Sequence, residues 1–215
     1  MANKIKDDKG LIIPIHSTVA VLAPPSSGKR RFCRGLSSMT KILHVETGEL
    51  LRQTEDEEIR ILMAAGDMID DKVVLDLTKN HIKTNFDRHQ YHFLFLDGFP
   101  RNPDQVEYLS HLAIGRIYIV QLKIHDSVVR RRFSNSLEND PERKARPDNS
   151  MKVFEKRLTE FRKLEPKILA QAHAMGINIF KREISNTDLA AKEFHRIHIA
   201  GRRNLRPEGT HPHHH

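Results

Sequence analysis

The 215-residue chain has one cysteine, Cys33, and no tryptophan. A single thiol excludes an internal disulfide and a cysteine-based zinc cluster, and Cys33 reads as a small buried side chain on a helix rather than a nucleophile. Aromatic residues make up only 6% of the chain. Without basic–aromatic interleaving a base-stacking platform is hard to build, and no nucleic-acid partner is expected. No apolar run approaches the roughly 18 residues that cross a bilayer, and Met1 to Gly10 is too polar for a signal peptide. The expectation is a cytoplasmic monomer without membrane contact. No internal repeat is present, and the pairs His89/His92 and His195/His198 have no acidic or cysteine partners that would suggest a metal site.

A hydrophobic content of 38% with 30% charged residues is ordinary for a globular domain, and the length suffices to bury a substantial core. The 36 basic and 28 acidic residues leave a net charge of +8 with histidines neutral, which favours anionic partners. Much of the excess lies in Lys29 to Arg34 and in a carboxyl tail containing Arg196, Arg202, Arg203 and Arg206. The ending Thr210-His211-Pro212-His213-His214-His215 reads either as part of a purification tag or as a native histidine-rich tail.

Five apolar runs, Thr18 to Leu22, Lys41 to Val45, His92 to Leu96, Ile117 to Ile124 and Ile177 to Phe180, alternate with amphipathic segments. Those segments include Glu49 to Ala65, Asp71 to Lys83, Pro103 to Leu112 and Met151 to His173. Strands alternating with helices predict an α/β fold, a five-stranded parallel sheet with helices on both faces. The link from Val45 to His92 exceeds a single crossover and predicts an inserted lobe, placed at about 46–75. A polar stretch at about 133–145 suits a short lid, or a plain loop between two helices. Residues 1–16 form an amino-terminal extension, 17–200 the domain and 201–215 the tail.

Ala23-Pro24-Pro25-Ser26-Ser27-Gly28-Lys29 sits between the first strand and a basic helical segment, the setting of a phosphate-binding loop. In such a loop backbone N–H groups at a helix amino end surround phosphates and the lysine reaches the transferred group. Ala23 and Ser26 stand where glycines are usual, and Arg30-Arg31 replaces Gly-Thr, so a hydroxyl that helps hold the nucleotide's magnesium is lost while two guanidiniums are gained. Further on, Asp97-Gly98-Phe99-Pro100-Arg101, with Gln105, follows a buried strand, at the carboxyl end where open α/β sheets bind ligands. An acid there can orient hydrated magnesium, an arginine can grip a phosphate and an amide can read a base edge. Glycine and proline punctuating a strand-to-helix turn, with Arg101 a surface charge, is the plainer alternative.

Four motifs in order and spacing resemble the adenylate kinase family. They are the loop ending Gly28-Lys29; Glu46-Thr47-Gly48-Glu49-Leu50-Leu51-Arg52; Asp97 to Arg101 with Gln105; and Arg146-Pro147-Asp148 with Arg157. A softer match is Ala65-Gly66-Asp67-Met68-Ile69-Asp70-Asp71, and together they span about residues 17–185. The resemblance implies a P-loop NTPase-like fold with a monophosphate-binding lobe, a short lid and reversible magnesium-dependent phosphoryl transfer from ATP to AMP. It places Pro25, Ser26, Ser27, Gly28, Lys29, Arg30, Arg31 and Arg132 around ATP. Thr47, Gly48, Arg52, Met68, Ile69, Val74, Gly98, Arg101 and Gln105 fall around AMP. Lys29, Arg101, Arg132, Arg146 and Arg157 are the implied catalytic cations. Asp97 is implied to position Mg2+ through water, and Asp148 to help hold the closed lid. Relatives that prefer pyrimidine monophosphates commonly carry alanine in place of Thr47, which favours AMP. Ser136 stands where a second lid arginine is usual and Asn149 where a second acid is usual. A nucleotide-binding protein of this fold with impaired catalysis, and a kinase for another nucleoside monophosphate, are the alternatives.

Overall fold

The computed structural model describes residues 13–38, 40–184 and 199–200. All five apolar runs form strands: β2 Ser17–Leu22, β3 Ile42–Glu46, β4 Phe93–Asp97, β5 Ile117–Lys123 and β6 Asn178–Glu183. They pair in parallel in the order β3-β4-β2-β5-β6. A separate parallel pair joins β1 (Ile13–Pro14) to β7 (Ile199–Ala200). Most of the carboxyl tail, with Arg196, Arg202, Arg203 and Arg206, lies outside the described residues.

Successive strand residues point to opposite faces, and both faces are apolar, as a parallel sheet covered on two sides requires. One face carries Val19, Val21, Phe93, Phe95, Tyr118 and Val120 against helices α1 (Lys29–Ser37), α6 (Asp126–Asn139) and α8 (Met151–Ala174). The other carries Ala20, Leu22, Leu94, Leu96 and Ile119 against α5 (Pro103–Leu112) and the carboxyl half of α8. The central strands are fully buried, so their carboxyl ends open into the cleft from a rigid base.

The link between β3 and β4 holds three helices, α2 (Thr47–Arg52), α3 (Glu57–Ala65) and α4 (Asp71–Asn85). The continuous amphipathic segment read at Glu49 to Ala65 is two helices. Asp56 accepts from the N–H groups of Glu58 and Ile59 and so begins a new helix. The polar stretch after Arg132 is helical too: α6 runs to Asn139 and α7 covers Pro141–Lys144. Its polar side chains bond back to their own helix, Ser136 Oγ to the Phe133 carbonyl at 2.7 Å and Asn139 Nδ2 to the Asn135 carbonyl at 2.9 Å. Phe133 stacks on Phe154 at 4.3 Å between ring centres, which ties this segment to α8.

Phe95 lies at the centre of this arrangement, 2% exposed. Phe95→Ala is expected to lower the unfolding free energy by about 3–5 kcal/mol, read as a reduced denaturant midpoint with little change in slope.

Candidate functional site

The parallel register sets Val21, Asp97 and Glu46 side by side, so the phosphate loop after β2 and two strand-end carboxylates share one edge. The loop turns through Ser26 at φ 57° and Gly28 at φ 90° before α1 begins at Lys29. The left-handed position falls on Ser26 and not on Ala23, a strain of roughly 1–2 kcal/mol for a non-glycine residue. No side chain caps α1, which leaves its first N–H groups facing the loop, a suitable place for phosphate oxygens.

Lys29 Nζ lies 3.6 Å from Asp97 Oδ1 and donates to the Ala23 carbonyl at 3.3 Å. On its other side Asp97 Oδ2 meets His44 Nε2 at 3.5 Å. Burial by itself would push the Asp97 carboxyl up, but Lys29, then His44 and Arg101, hold it below the usual carboxylate range. Among the described residues no group of three or more His, Cys, Asp or Glu side chains gathers to hold a metal. Asp97, kept ionised beside the phosphate loop, fits a hydrated divalent ion that draws its remaining ligands from phosphate and water. Arg30, where a glycine is usual, turns across the cleft, its Nε 2.7 Å from Glu46 and its Nη2 3.4 Å from Glu49. Burial works against its charge, yet Glu46 and Glu49 raise its pKa further.

Opposite, four guanidiniums converge. Glu49 holds Arg52 at 3.1 Å and Arg146 at 3.8 Å, and Asp148 holds Arg157 at 2.9 Å and Arg52 at 3.6 Å. Burial tends to raise the Glu49 carboxyl, but Arg52, Arg146 and Arg30 bring it below its ordinary value. Arg101 Nε donates to the Gly98 carbonyl at 3.0 Å, and its side chain keeps a water-accessible face on the cleft. Crowding by protein and by the Arg157 charge still draws it down from the usual arginine value. Such a cluster of like charges is the arrangement expected where an anion binds.

These groups surround a cleft of about 1160 Å3, lined by predicted residues of both halves: Pro25, Ser26, Gly28 to Arg31, Gly48, Arg52, Gly98, Arg101, Arg132, Arg146 and Arg157. A smaller recess of about 20 Å3 adjoins it, where Thr47, Met68, Ile69, Val74 and Gln105 come together. Ser27 is the exception. Its side chain is 1% exposed, with a buried hydroxyl that has no hydrogen-bond partner, and it presents its carbonyl to Arg132 Nη1 at 2.7 Å instead. Gly98, at φ 89°, has no room for a side chain, because a Cβ there would lie 2.6 Å from Thr47 Oγ1. Ser136, bonded to its own helix, does not line the cleft.

A family model for adenylate kinase matches residues 21–176. The chain belongs to the adenylate kinase family. Its relatives include adenylate kinases of Prochlorococcus marinus subsp. pastoris, 34% identical over 100 residues, and of Borrelia garinii subsp. bavariensis, 30% identical over 119 residues. A third, from Francisella tularensis subsp. novicida, is 25% identical over 122 residues. The aligned segments take in 44%, 53% and 54% of this chain, and the chain spans about half the length of each relative, 52%, 54% and 55%. The match runs from β2 into the turn after α8, so it contains the phosphate loop, both strand-end carboxylates and all the converging arginines.

Glu46 and Glu49, which line the cleft, and His44, which contacts Asp97 behind it, were given no role by sequence reasoning. Their one signal is position, in or just before the motif that opens α2 at Thr47-Gly48. Their pairing with Arg30 and Asp97 comes only from the fold.

Because the Asp97 carboxyl is depressed in the folded protein, the stability it confers is present above about pH 4, the unfolded range. It is lost as pH falls through the native value. The unfolding midpoint of the native protein is expected to exceed that of Asp97→Asn at pH 6, and the gap to close as the pH drops below about 4. A gap that stays constant to pH 3 would contradict the ion-pair account.

Proposed function

We propose that this chain catalyses reversible transfer of the ATP γ-phosphoryl group to AMP, giving two ADP. The observation that carries this reading is the meeting of Lys29, Arg52, Arg101, Arg146 and Arg157 in one cleft at the carboxyl edge of the sheet. Phosphoryl transfer spreads negative charge over the moving oxygens, so placement and charge compensation supply most of the catalysis. Lys29 and the α1 amino end hold the β- and γ-phosphates of ATP. Arg52 and Arg101 hold the acceptor phosphate. Arg132, Arg146 and Arg157 neutralise the group in flight. Magnesium bound with ATP screens the phosphate oxygens, and Asp97 orients its water shell.

The helices at about 46–75 act as the monophosphate lobe and the segment at about 133–145 as the lid, closing together to exclude water. Glu49 and Asp148 occupy the arginines until phosphate arrives, and nucleotide binding exchanges one anion for another. The protein works as a monomer in the cytoplasm on free nucleotides, with no nucleic-acid partner.

A second reading, a nucleotide-binding protein with impaired catalysis, is favoured by Ala23 at a usual glycine, by Arg31 in the hydroxyl's place and by Ser136 turned to its own helix. Turnover separates the two. With ATP, AMP and magnesium the purified protein is expected to form ADP well above background, and Arg157→Ala to lower kcat by about 10³. Binding of both nucleotides with no ADP formed would establish the impaired reading instead.

A further inference from the structure

Asp71 stands in the first turn of α4, but it does not cap that helix. Asp70 does, its carboxylate accepting from the N–H groups of Lys72 and Val73. Asp71 turns instead toward α5. Both of its oxygens accept from Asn102 Nδ2, at 2.9 and 3.0 Å, and Oδ1 also accepts from Gln105 Nε2 at 2.6 Å. Asn102 in turn accepts the Gln105 backbone N–H at 2.8 Å, capping α5. At the far end of the Gln105 amide, Oε1 accepts the Arg101 backbone N–H at 2.7 Å.

Both partners of that amide are one-way groups. An ionised carboxylate only accepts and a backbone N–H only donates, so Nε2 faces Asp71 and Oε1 faces Arg101, and the opposite orientation loses both bonds. Gln105 is 1% exposed and lines the small recess, whereas Asp71 does not line it. One Nε2 hydrogen and one Oε1 lone pair remain unspent. Thr47 is polarised in the same way: its hydroxyl donates to the Asp97 carbonyl at 3.2 Å, leaving it only lone pairs to offer.

We infer that Asp71 is a positioning residue that fixes the sense of the Gln105 amide and thereby makes the recess select a 6-aminopurine over a 6-oxopurine monophosphate. A free glutamine amide is ambidextrous, since turning it over exchanges donor and acceptor. A 6-aminopurine offers an amino donor beside a ring-nitrogen acceptor, and a 6-oxopurine offers the reverse. With the amide fixed and Thr47 restricted to accepting, the 6-oxo base brings an oxygen against lone pairs and leaves polar groups unpaired, which is the costly kind of mismatch. This inference rests on the acceptor reading of the recess given above.

The test is calorimetric binding of AMP, IMP and inorganic phosphate to the wild-type protein, Asp71→Asn and Asp71→Glu. Asparagine removes the charge and can itself turn over, so the Arg101 N–H alone is left to dictate the sense of the amide. The expected result is that wild type prefers AMP, that Asp71→Asn loses at least about tenfold of the AMP-to-IMP affinity ratio, and that phosphate affinity is unchanged. Asp71→Glu, which keeps a carboxylate, retains most of the ratio. An unchanged ratio in Asp71→Asn, or an equal loss for AMP, IMP and phosphate, overturns the role given to Asp71. Failure of wild type to bind either nucleotide overturns the acceptor reading itself. Glutamine-selective nitrogen labelling of wild type needs no variant: one Gln105 side-chain proton shifted far downfield and protected is expected, and two rapidly exchanging protons at the positions of a solvent-exposed glutamine amide overturn the inference.

Discussion

The parallel pairing of β3, β4 and β2 aligns Glu46, Asp97 and Val21 in one row, and the chemistry of the cleft is built outward from it. Two carboxylates at adjacent strand ends would repel each other in a poorly hydrated corner, so each has to be matched by a cation from elsewhere in the chain. Lys29 answers Asp97 from the phosphate loop and Arg30 answers Glu46 from the start of α1. His44, on the same strand as Glu46, lies between the two acids. A shift of β3 by one residue would turn Glu46 to the opposite face and leave Arg30 without its nearest partner.

On the other side of the cleft the excess is positive. Arg52, Arg101, Arg146 and Arg157 repel one another, and Arg101, drawn down first by burial, is drawn down further by Arg157 and Arg52. Glu49 and Asp148 are the internal anions that make the cluster tolerable without ligand. A phosphate group carries more charge than one carboxylate and offers more oxygens, so it can take over several guanidiniums at once. The site is electrostatically strained toward binding while remaining paired.

The sheet was legible in the sequence because each strand is a short apolar run with turn-forming residues at its end, and burial on both faces leaves no competing pattern. Helices α4, α5 and α8 were legible from their amphipathic spacing. The break between α2 and α3 was hidden, since Asp56 looks like any polar residue until its carboxylate is seen capturing two N–H groups. The polar residues Ser134 to Ser136 suggested interruption, yet a helix face toward water accepts such residues when Phe133 anchors the other face. Lys29, Arg101 and Arg157 were found through motif letters. Glu49, Arg30 and Asp71 depend on partners 16 to 34 residues away in the chain, and such pairing has no periodic signature.

Helix α8 joins the parts that flank the cleft. Lys156 grips Asp67 and the Ala65 carbonyl, Arg157 grips the Met63 carbonyl, and Arg130 and Asp126 of α6 are held by Glu155 and Arg162. The turn after α3 and the helix leading to α7 therefore both take their bearings from one rod, although they lie on different sides of the entrance. A tilt of that rod reaches both at once. Communication between the two sides of the cleft need not cross it: it has a solid route behind it, along a single 24-residue helix.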